Sequence, residues 1–393
     1  MATYPVLVIK PGFEVHLKNR HHAIFKGAII TFPEAEDGAI VEVRSAQGEF
    51  LCYATFNAQA YICGRAIAFE KGDPLAALRK SIERAVQIRR NFFAKEDTTA
   101  YRLVNAEGDS LPGLIADQYG DVVVVQLTTL GMDKLRDWVA DTLQEIIKPR
   151  GIFEKSTGAS RKKEGLESKE GWLRGGGNPT IEIKERGLTY LIALEGSQKT
   201  GLFLDQREER SLVRSLAAGR TVLDVCSYVG GFSVSALAGG ALAADAVDYD
   251  RAALERAEQH VAVNGIDPQK FHTYAEDAFN FLRRAPLPRK YDFIILDPPA
   301  FAKRSSDLEP AKKAYTDLNR MGMQILPPGG LLLTCSCSYQ VDVPLFQTIV
   351  FHAARQAHRS VRILQRHRLA MDHPININHP EVDYLKSLLL WVE

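Results

Sequence analysis

Short apolar runs alternate with amphipathic stretches through the second half of the chain. Thr221–Val225, Ala243–Val247, Tyr291–Leu296 and Leu331–Thr334 have strand length and are apolar almost throughout. Between them, segments from Phe232 onward, Ala252–Asn264, Leu308–Ile325 and Leu345–Ala357 carry apolar residues at helical spacing. This alternation predicts an α/β domain with a mostly parallel, doubly wound sheet. A further strand ends at Glu276-Asp277. Strands near Val361–Leu364 and Leu388–Val392 complete a seven-strand pattern, and the last strand is expected to run antiparallel.

The first half reads differently. Val6–Ile9, Ala39–Arg44, Glu49–Phe56 and Ile62–Phe69 are β-type runs broken by Gly and Asp, so residues 1–73 form a small β-rich module. Asp73-Pro74 opens a helix, an N-cap followed by proline, that runs on to Phe93. Tyr101–Leu127 reads as a β-meander, Met132–Ile147 as an amphipathic helix and Gly151–Glu154 as a strand. Lys155–Gly177 is polar and Gly-rich and reads as a long flexible loop. Ile181–Leu194 reads as a hairpin turning at Arg186-Gly187. Residues 74–194 therefore form a central α+β domain, and 195–393 the α/β domain.

Charge narrows the partners. Lys and Arg total 49 against 48 Asp and Glu, so any nucleic-acid surface is local. Arg79, Lys80, Arg84, Arg89 and Arg90 face one acid, Glu83, on the first long helix, and Arg161-Lys162-Lys163 form a second basic group. A phosphate-facing stripe and a solvated helix face both account for such a run. The amino terminus lacks a signal pattern, and no apolar run is long enough to span a membrane. The five cysteines, Cys52, Cys63, Cys226, Cys335 and Cys337, include no Cys-x-x-Cys pair. That argues against a disulfide framework or a zinc site and for a reducing cytoplasm.

The candidate chemistry lies at the ends of the strands. Thr221–Val225 leads into Cys226-Ser-Tyr-Val-Gly-Gly231 and a helix. The turn lacks the first glycine of a dinucleotide fingerprint, and no Walker sequence is present. Asp224 ahead of a Gly turn suits the cationic cofactor S-adenosylmethionine (SAM), and Gly230 and Gly231 would let the backbone approach it. A purely structural turn fits these residues equally. The next strands raise the cofactor reading, because they also end in acids: Asp248-Tyr-Asp250, Glu276-Asp277 and Asp297-Pro-Pro-Ala-Phe301. An acid at the tip of the second strand is where such folds bind ribose hydroxyls. The cofactor candidates are thus Asp224, Ser227, Gly230, Asp248, Asp277 and Asp297. Cys337 follows the strand Leu331–Thr334, where a thiolate could add to carbon 6 of a pyrimidine and make carbon 5 nucleophilic, with Asp297 on the ring edge. Asp-Pro-Pro-aromatic also serves amino-group methyltransferases, which need no cysteine. A base-amine or guanine-N7 methyltransferase, or a non-catalytic RNA-binding protein on the same fold, remains the alternative.

Taken in order, these motifs carry a family resemblance. Gln198–Arg207, Leu223–Phe232, Val247-Asp248, Asp277-Ala-Phe279, Leu296–Phe301 and Ser336-Cys337-Ser338 resemble the ribosomal large-subunit methyltransferase I family along nearly the full length. The resemblance implies an N-terminal PUA domain, a central α+β domain and a C-terminal Rossmann-like SAM-dependent domain. It implies 5-methylcytosine formation in 23S rRNA or a large-subunit assembly intermediate. It also implies Cys337 as nucleophile and Asp224, Gly230, Asp248 and Asp277 around SAM. No metal or membrane is implied, and a homodimer is possible. Two points depart from the wider class. Ala300-Phe301 stand where a second cysteine is usual, leaving the carbon-5 base unassigned. Asp250 replaces a small residue, leaving open which of Asp248 and Asp250 holds ribose.

Overall fold

In the computed structural model the described residues are 3–196, 200–367 and 369–393. Gln198 and Lys199, which open the Gln198–Arg207 motif, lie outside them. The chain divides into two compact units. One comprises Met1–Gly187, Ile192–Leu204 and Met371–Val382, the other Leu188–Leu191, Asp205–Ala370 and Asp383–Glu393.

The first unit contains a six-stranded and a five-stranded sheet. The six-stranded sheet includes the expected β runs and two three-residue strands, Ala23–Phe25 and Ile29–Thr31, too short to leave a periodic signal. In Ile40–Ser45 buried and half-buried positions alternate, the period-2 pattern of a strand with one face on a core. The helix Pro74–Phe93 starts where Asp73 accepts a hydrogen bond from Leu75 N–H. Its buried face, Leu78, Ile82, Ala85 and Val86, packs with Tyr53 and Ile67 of the first sheet and Val104 and Leu114 of the second. The two sheets thus share a hydrophobic core.

The expected loop at Lys155–Gly177 is ordered. Ala159–Lys163 is a short helix, and Lys169–Gly175 is a strand antiparallel to Gly151–Ser156. Every residue of Gly151–Ser156 is buried, and its outer edge needs backbone partners. Lys169–Gly175 supplies them as the edge strand. Its lysine, glutamate and arginine side chains belong to an exposed edge, which makes the segment read as loop.

In the second unit the strands are β1 Thr221–Val225, β2 Ala243–Asp248, β3 Phe271–Ala275, β4 Phe293–Leu296, β5 Gly330–Ser336, β6 Val361–His367 and β7 Lys386–Val392. They form one sheet ordered β3-β2-β1-β4-β5-β7-β6, the α/β architecture expected. β1 to β5 are parallel, and β7 runs antiparallel to both β5 and β6. The helices are α1 Arg207–Leu216, α2 Gly231–Ala238, α3 Arg251–Val263, α4 Ala278–Leu282, α5 Leu308–Ile325 and α6 Val343–Ala357. The strand order reverses between β1 and β4, and ligands of such sheets bind at the carboxyl edge of that switch point. The register pairs Val225 with Val247 and Leu296, and Leu296 with Thr334. The candidate residues after β1, β2, β4 and β5 therefore emerge on one edge.

Candidate active site

The loop after β1 is built by Asp224. This buried carboxylate accepts hydrogen bonds from the backbone N–H of Ser233 at 3.0 Å and its hydroxyl at 2.8 Å, tying the strand to the first turn of α2. Its other oxygen is buried without a protein partner. Burial drives its pKa up to about 7, with the hydrogen bonds from Ser233 opposing the shift. Between the anchor points the chain turns through three left-handed residues, Cys226 at φ 61°, Tyr228 at φ 50° and Gly230 at φ 71°. Two of them carry side chains, so this loop holds backbone strain of the kind found at functional sites. Glycine at 230 has a second cause besides its φ: a Cβ there would lie 2.7 Å from that of Ala257 on α3. The close approach that it allows is to this helix.

Asp248, at the tip of β2, accepts from Tyr228 N–H at 2.8 Å with one oxygen and from Asp250 N–H at 3.0 Å with the other. Each oxygen keeps a second acceptor direction. Asp250 caps α3, accepting from Ala252 and Ala253 N–H. Asp277 caps α4 through Asn280 N–H. Ser227, in the same loop, is buried, with a hydroxyl that meets no protein partner. Asp248 and the Ser227 hydroxyl are neighbours of one loop with unused hydrogen-bonding capacity, a donor and acceptor set suited to a nucleoside. These residues fit SAM.

Cys337 follows β5 directly and is half-buried. Its Sγ lies 3.9 Å from the carbonyl oxygen of Pro298, in the turn after Asp297. The sheet therefore brings together the thiol and the Asp297-Pro298-Pro299 turn, 39 residues apart in sequence. On either side of the cysteine, the buried hydroxyls of Ser336 and Ser338 each lie 3.0 Å from the Tyr315 hydroxyl of α5. Cys335 is fully buried, and burial raises its thiol pKa well above the ordinary value.

Several groups at this edge escaped the sequence reading. Glu209, in the first turn of α1, is fully buried and accepts from the Ser387 hydroxyl, and burial pushes its pKa up to about 8. Tyr315 and Lys386 approach the cysteine segment from α5 and β7. Glu209 stands two residues after the Gln198–Arg207 motif, a signal that could have flagged it. Lys386 has none, because only strand pairing brings it here.

The basic groups of the first unit divide. Lys80, Arg84, Lys162 and Lys163 are exposed. Arg79 pairs with Glu83 and with Glu145 of another helix. Arg89 and Arg161 cannot face phosphates as placed here. Arg89 is buried and makes a bidentate pair with Asp109, and Arg161 is buried against Asp133 and the Leu127 carbonyl. Both side chains point inward because acceptors inside this unit hold them.

Among the described residues, His21, His379 and Glu381 bring donor atoms within 4.8 Å of one another. Ala23 N–H donates to His21 Nδ1, and His22 N–H donates to His379 Nε2. Each ring therefore carries its proton on the nitrogen that faces Glu381 Oε1, at 3.0 and 3.1 Å. Two N–H groups converging on a carboxylate make a hydrogen-bonded clasp, with protons where an ion would sit.

Residues 157–388 match the S-adenosylmethionine-dependent methyltransferase family, and residues 7–69 match the PUA-like domain. Proteins named ribosomal RNA large subunit methyltransferase I are similar along nearly the whole chain. The one from Erwinia tasmaniensis is 36% identical over 386 residues, 97% of this chain and 98% of that protein. The chain belongs to this family. The relative from Klebsiella pneumoniae, of the same name, is also 36% identical, covering 98% of each chain. A solved methyltransferase, SMU.776, in complex with SAH, superposes with a TM-score of 0.85 at 28% identity, covering 98% of this chain and 100% of that one. Membership of the ribosomal RNA large subunit methyltransferase I family makes the protein a SAM-dependent methyltransferase. No helix among the described residues is long and apolar enough to cross a membrane.

Proposed function

We propose that the protein methylates carbon 5 of a cytosine in 23S rRNA, with Cys337 as nucleophile. The rRNA substrate rests on the names of the full-length relatives. The observation that carries the chemistry is the Cys337 thiol at the sheet's switch-point edge, 3.9 Å from the Pro298 carbonyl. An amine or N7 methyltransferase has no use for a thiol there.

SAM supplies an electrophilic methyl group. The Cys337 thiolate adds to carbon 6, and the electron pair of the 5,6 double bond becomes available at carbon 5. Carbon 5 takes the methyl group as the methyl–sulfur bond breaks and its electron pair stays on the sulfur, leaving a neutral thioether. Loss of the carbon-5 proton then restores the double bond and expels the thiolate. Asp297 hydrogen-bonds the ring edge during addition. On the cofactor side Asp248 accepts from the ribose hydroxyls and the Ser227 hydroxyl bonds the same ligand. Asp224 and Gly230 shape the loop beneath it, and Asp277 borders it. Residues 1–73, 74–194 and 195–393 serve as RNA-binding, central and catalytic parts. The exposed Lys80, Arg84, Lys162 and Lys163 offer phosphate contacts, with Arg79 able to exchange its carboxylate partners for them.

Incubation of enzyme and SAM with RNA containing 5-fluorocytosine tests the mechanism. Fluorine cannot leave as a proton does, so a covalent protein–RNA adduct is expected for the native protein and none for Cys337→Ala. Turnover without any adduct favours the amine or N7 reading.

A further inference from the structure

Lys386 is a buried lysine, only 4% exposed, and it stands opposite Ser336 in the antiparallel β5–β7 ladder. Its Nζ donates to the carbonyl oxygen of Ser338 at 2.6 Å and to that of Tyr384 at 2.7 Å. The side chain thus reaches past its own ladder partner to the residue that follows Cys337. The two carbonyls occupy two of the three ammonium protons but carry only partial charges. A full positive charge kept out of water needs an anion nearby. The ionisable groups whose charge reaches Lys386 are Cys337, Asp383 and Asp342. Among the described residues, those around the Cys337 thiol include Lys386 from β7, Tyr315 from α5 and Cys335 on its own strand, with Asp297 one residue before the carbonyl that the thiol meets. Burial drives both the Tyr315 phenol and the Cys335 thiol towards their neutral forms. Of these described groups Lys386 is the cation, and its pKa, brought down to about 8 by burial, leaves it charged at neutral pH.

We propose that Lys386 is a positioning residue for Cys337: its buried ammonium, clamped to the Ser338 carbonyl, fixes the cysteine turn and holds the thiol as thiolate. This rests on the reading of Cys337 as nucleophile. The thiol proton passes to solvent while the ammonium stays protonated. The resulting ion pair makes thiolate available near neutral pH, where an ordinary thiol is mostly protonated. After addition the sulfur is neutral, and the ammonium favours its later departure as an anion. A lysine acting only as a structural clip would hold the turn without moving the thiol's ionisation.

The test is the pH dependence of Cys337 alkylation by iodoacetamide in the full chain, read peptide by peptide by mass spectrometry. The native midpoint is expected below the ordinary thiol value of about 8.5. In Lys386→Met it should rise by about one unit or more, with alkylation near pH 7 slowed roughly tenfold. Lys386→Arg should keep the low midpoint. A native midpoint at or above the ordinary value overturns the proposal, and this arm needs no variant to fold. So does a Lys386→Met midpoint equal to the native one in a protein of unchanged melting temperature. An RNA adduct combined with such an unshifted midpoint removes Lys386 and leaves Cys337 as nucleophile. A low midpoint set by Lys386 with no adduct keeps the ion pair and removes the nucleophile reading.

Discussion

Buried charge is treated in opposite ways in the first unit and at the carboxyl edge of the second unit's sheet. In the first, buried ions are paired. Arg89 meets Asp109 with two hydrogen bonds, Arg102 meets Asp117 with two more, and Arg161 meets Asp133. In the second, at the carboxyl edge of the sheet, Asp224 and Glu209 are buried with uncharged groups as their hydrogen-bond donors, and each has an oxygen with no protein partner. Burial raises the pKa of both. A buried pair is costly to break because one charge is left behind without its partner. A buried acid that ionises without a counter-charge lowers stability, and folds tolerate such groups where function requires them. The difference separates the part of the molecule organised for rigidity from the part organised for chemistry.

The largest expected effect tests the chemical side. Cys337→Ala should fold, bind SAM and RNA, and transfer no measurable methyl to cytosine carbon 5, read as methylation of unmodified 23S rRNA. Cys335→Ala, a truncation in the core, should cost stability and keep activity. The opposite pattern would place the reactive thiol on the wrong residue.

Next comes the structural side. Arg89→Ala leaves Asp109 buried and unpaired, and should cost about 3–5 kcal/mol in denaturant unfolding. SAM affinity, measured by calorimetry, should not change. A mild effect of Arg89→Ala on stability would break the contrast between the units.

Asp248→Ala should weaken SAM binding by about 1.5–3 kcal/mol, because the ribose hydroxyls lose a charged acceptor. Asp250→Ala should instead cost about 1 kcal/mol of stability through loss of the α3 cap and leave SAM affinity intact. Calorimetry on the two variants distinguishes the ribose acid from the capping acid. Reversed results would exchange their roles.

Asp224 and Glu209 give a pH signature. Their folded pKa values, about 7 and about 8, lie above the unfolded carboxylate range. Between roughly pH 4 and these values the folded state binds more protons than the unfolded state, so stability falls as pH rises. The contribution is present below the unfolded pKa, is lost as pH rises through the folded value and levels off beyond it. Glu209→Gln and Asp224→Asn should flatten the melting temperature against pH in this window. An unchanged slope would show that these acids have counter-charges after all.

The smallest effect concerns the exposed cations. Neutralising Lys80, Arg84, Lys162 and Lys163 should lower RNA affinity and reduce the slope of log affinity against log salt by about one unit for every phosphate that no longer meets a cation. SAM affinity should stay the same. If the slope is unchanged, these residues are solvated surface like any other.

The seven-strand α/β pattern, the antiparallel final strand, the Asp73-Pro74 helix start and the acids at successive strand ends were all legible along the chain. They are local consequences of hydrophobic period and turn chemistry, which adjacent residues decide. The edge strand Lys169–Gly175 was not legible, because its strand state is imposed by the backbone groups of Gly151–Ser156, not by its own polar residues. Nor were the partners of the basic residues. Arg161 and Lys162 are neighbours in sequence, yet one is buried against Asp133 and the other exposed, and nothing in Arg-Lys-Lys distinguishes them. Asp248 and Asp250 look interchangeable in sequence. The start of α3 assigns one to the helix cap and leaves the other with acceptor capacity at the strand tip. The sequence placed Cys337 just past the end of a parallel strand, which the structure extends from Thr334 to Ser336. Tertiary structure decided what surrounds it: the Pro298 carbonyl from β4's turn, Tyr315 from α5 and Lys386 from the antiparallel β7. The physical reason is range. Strand and helix periods act over a few residues, whereas charge and hydrogen bonding act through space between segments that only the folded sheet makes neighbours.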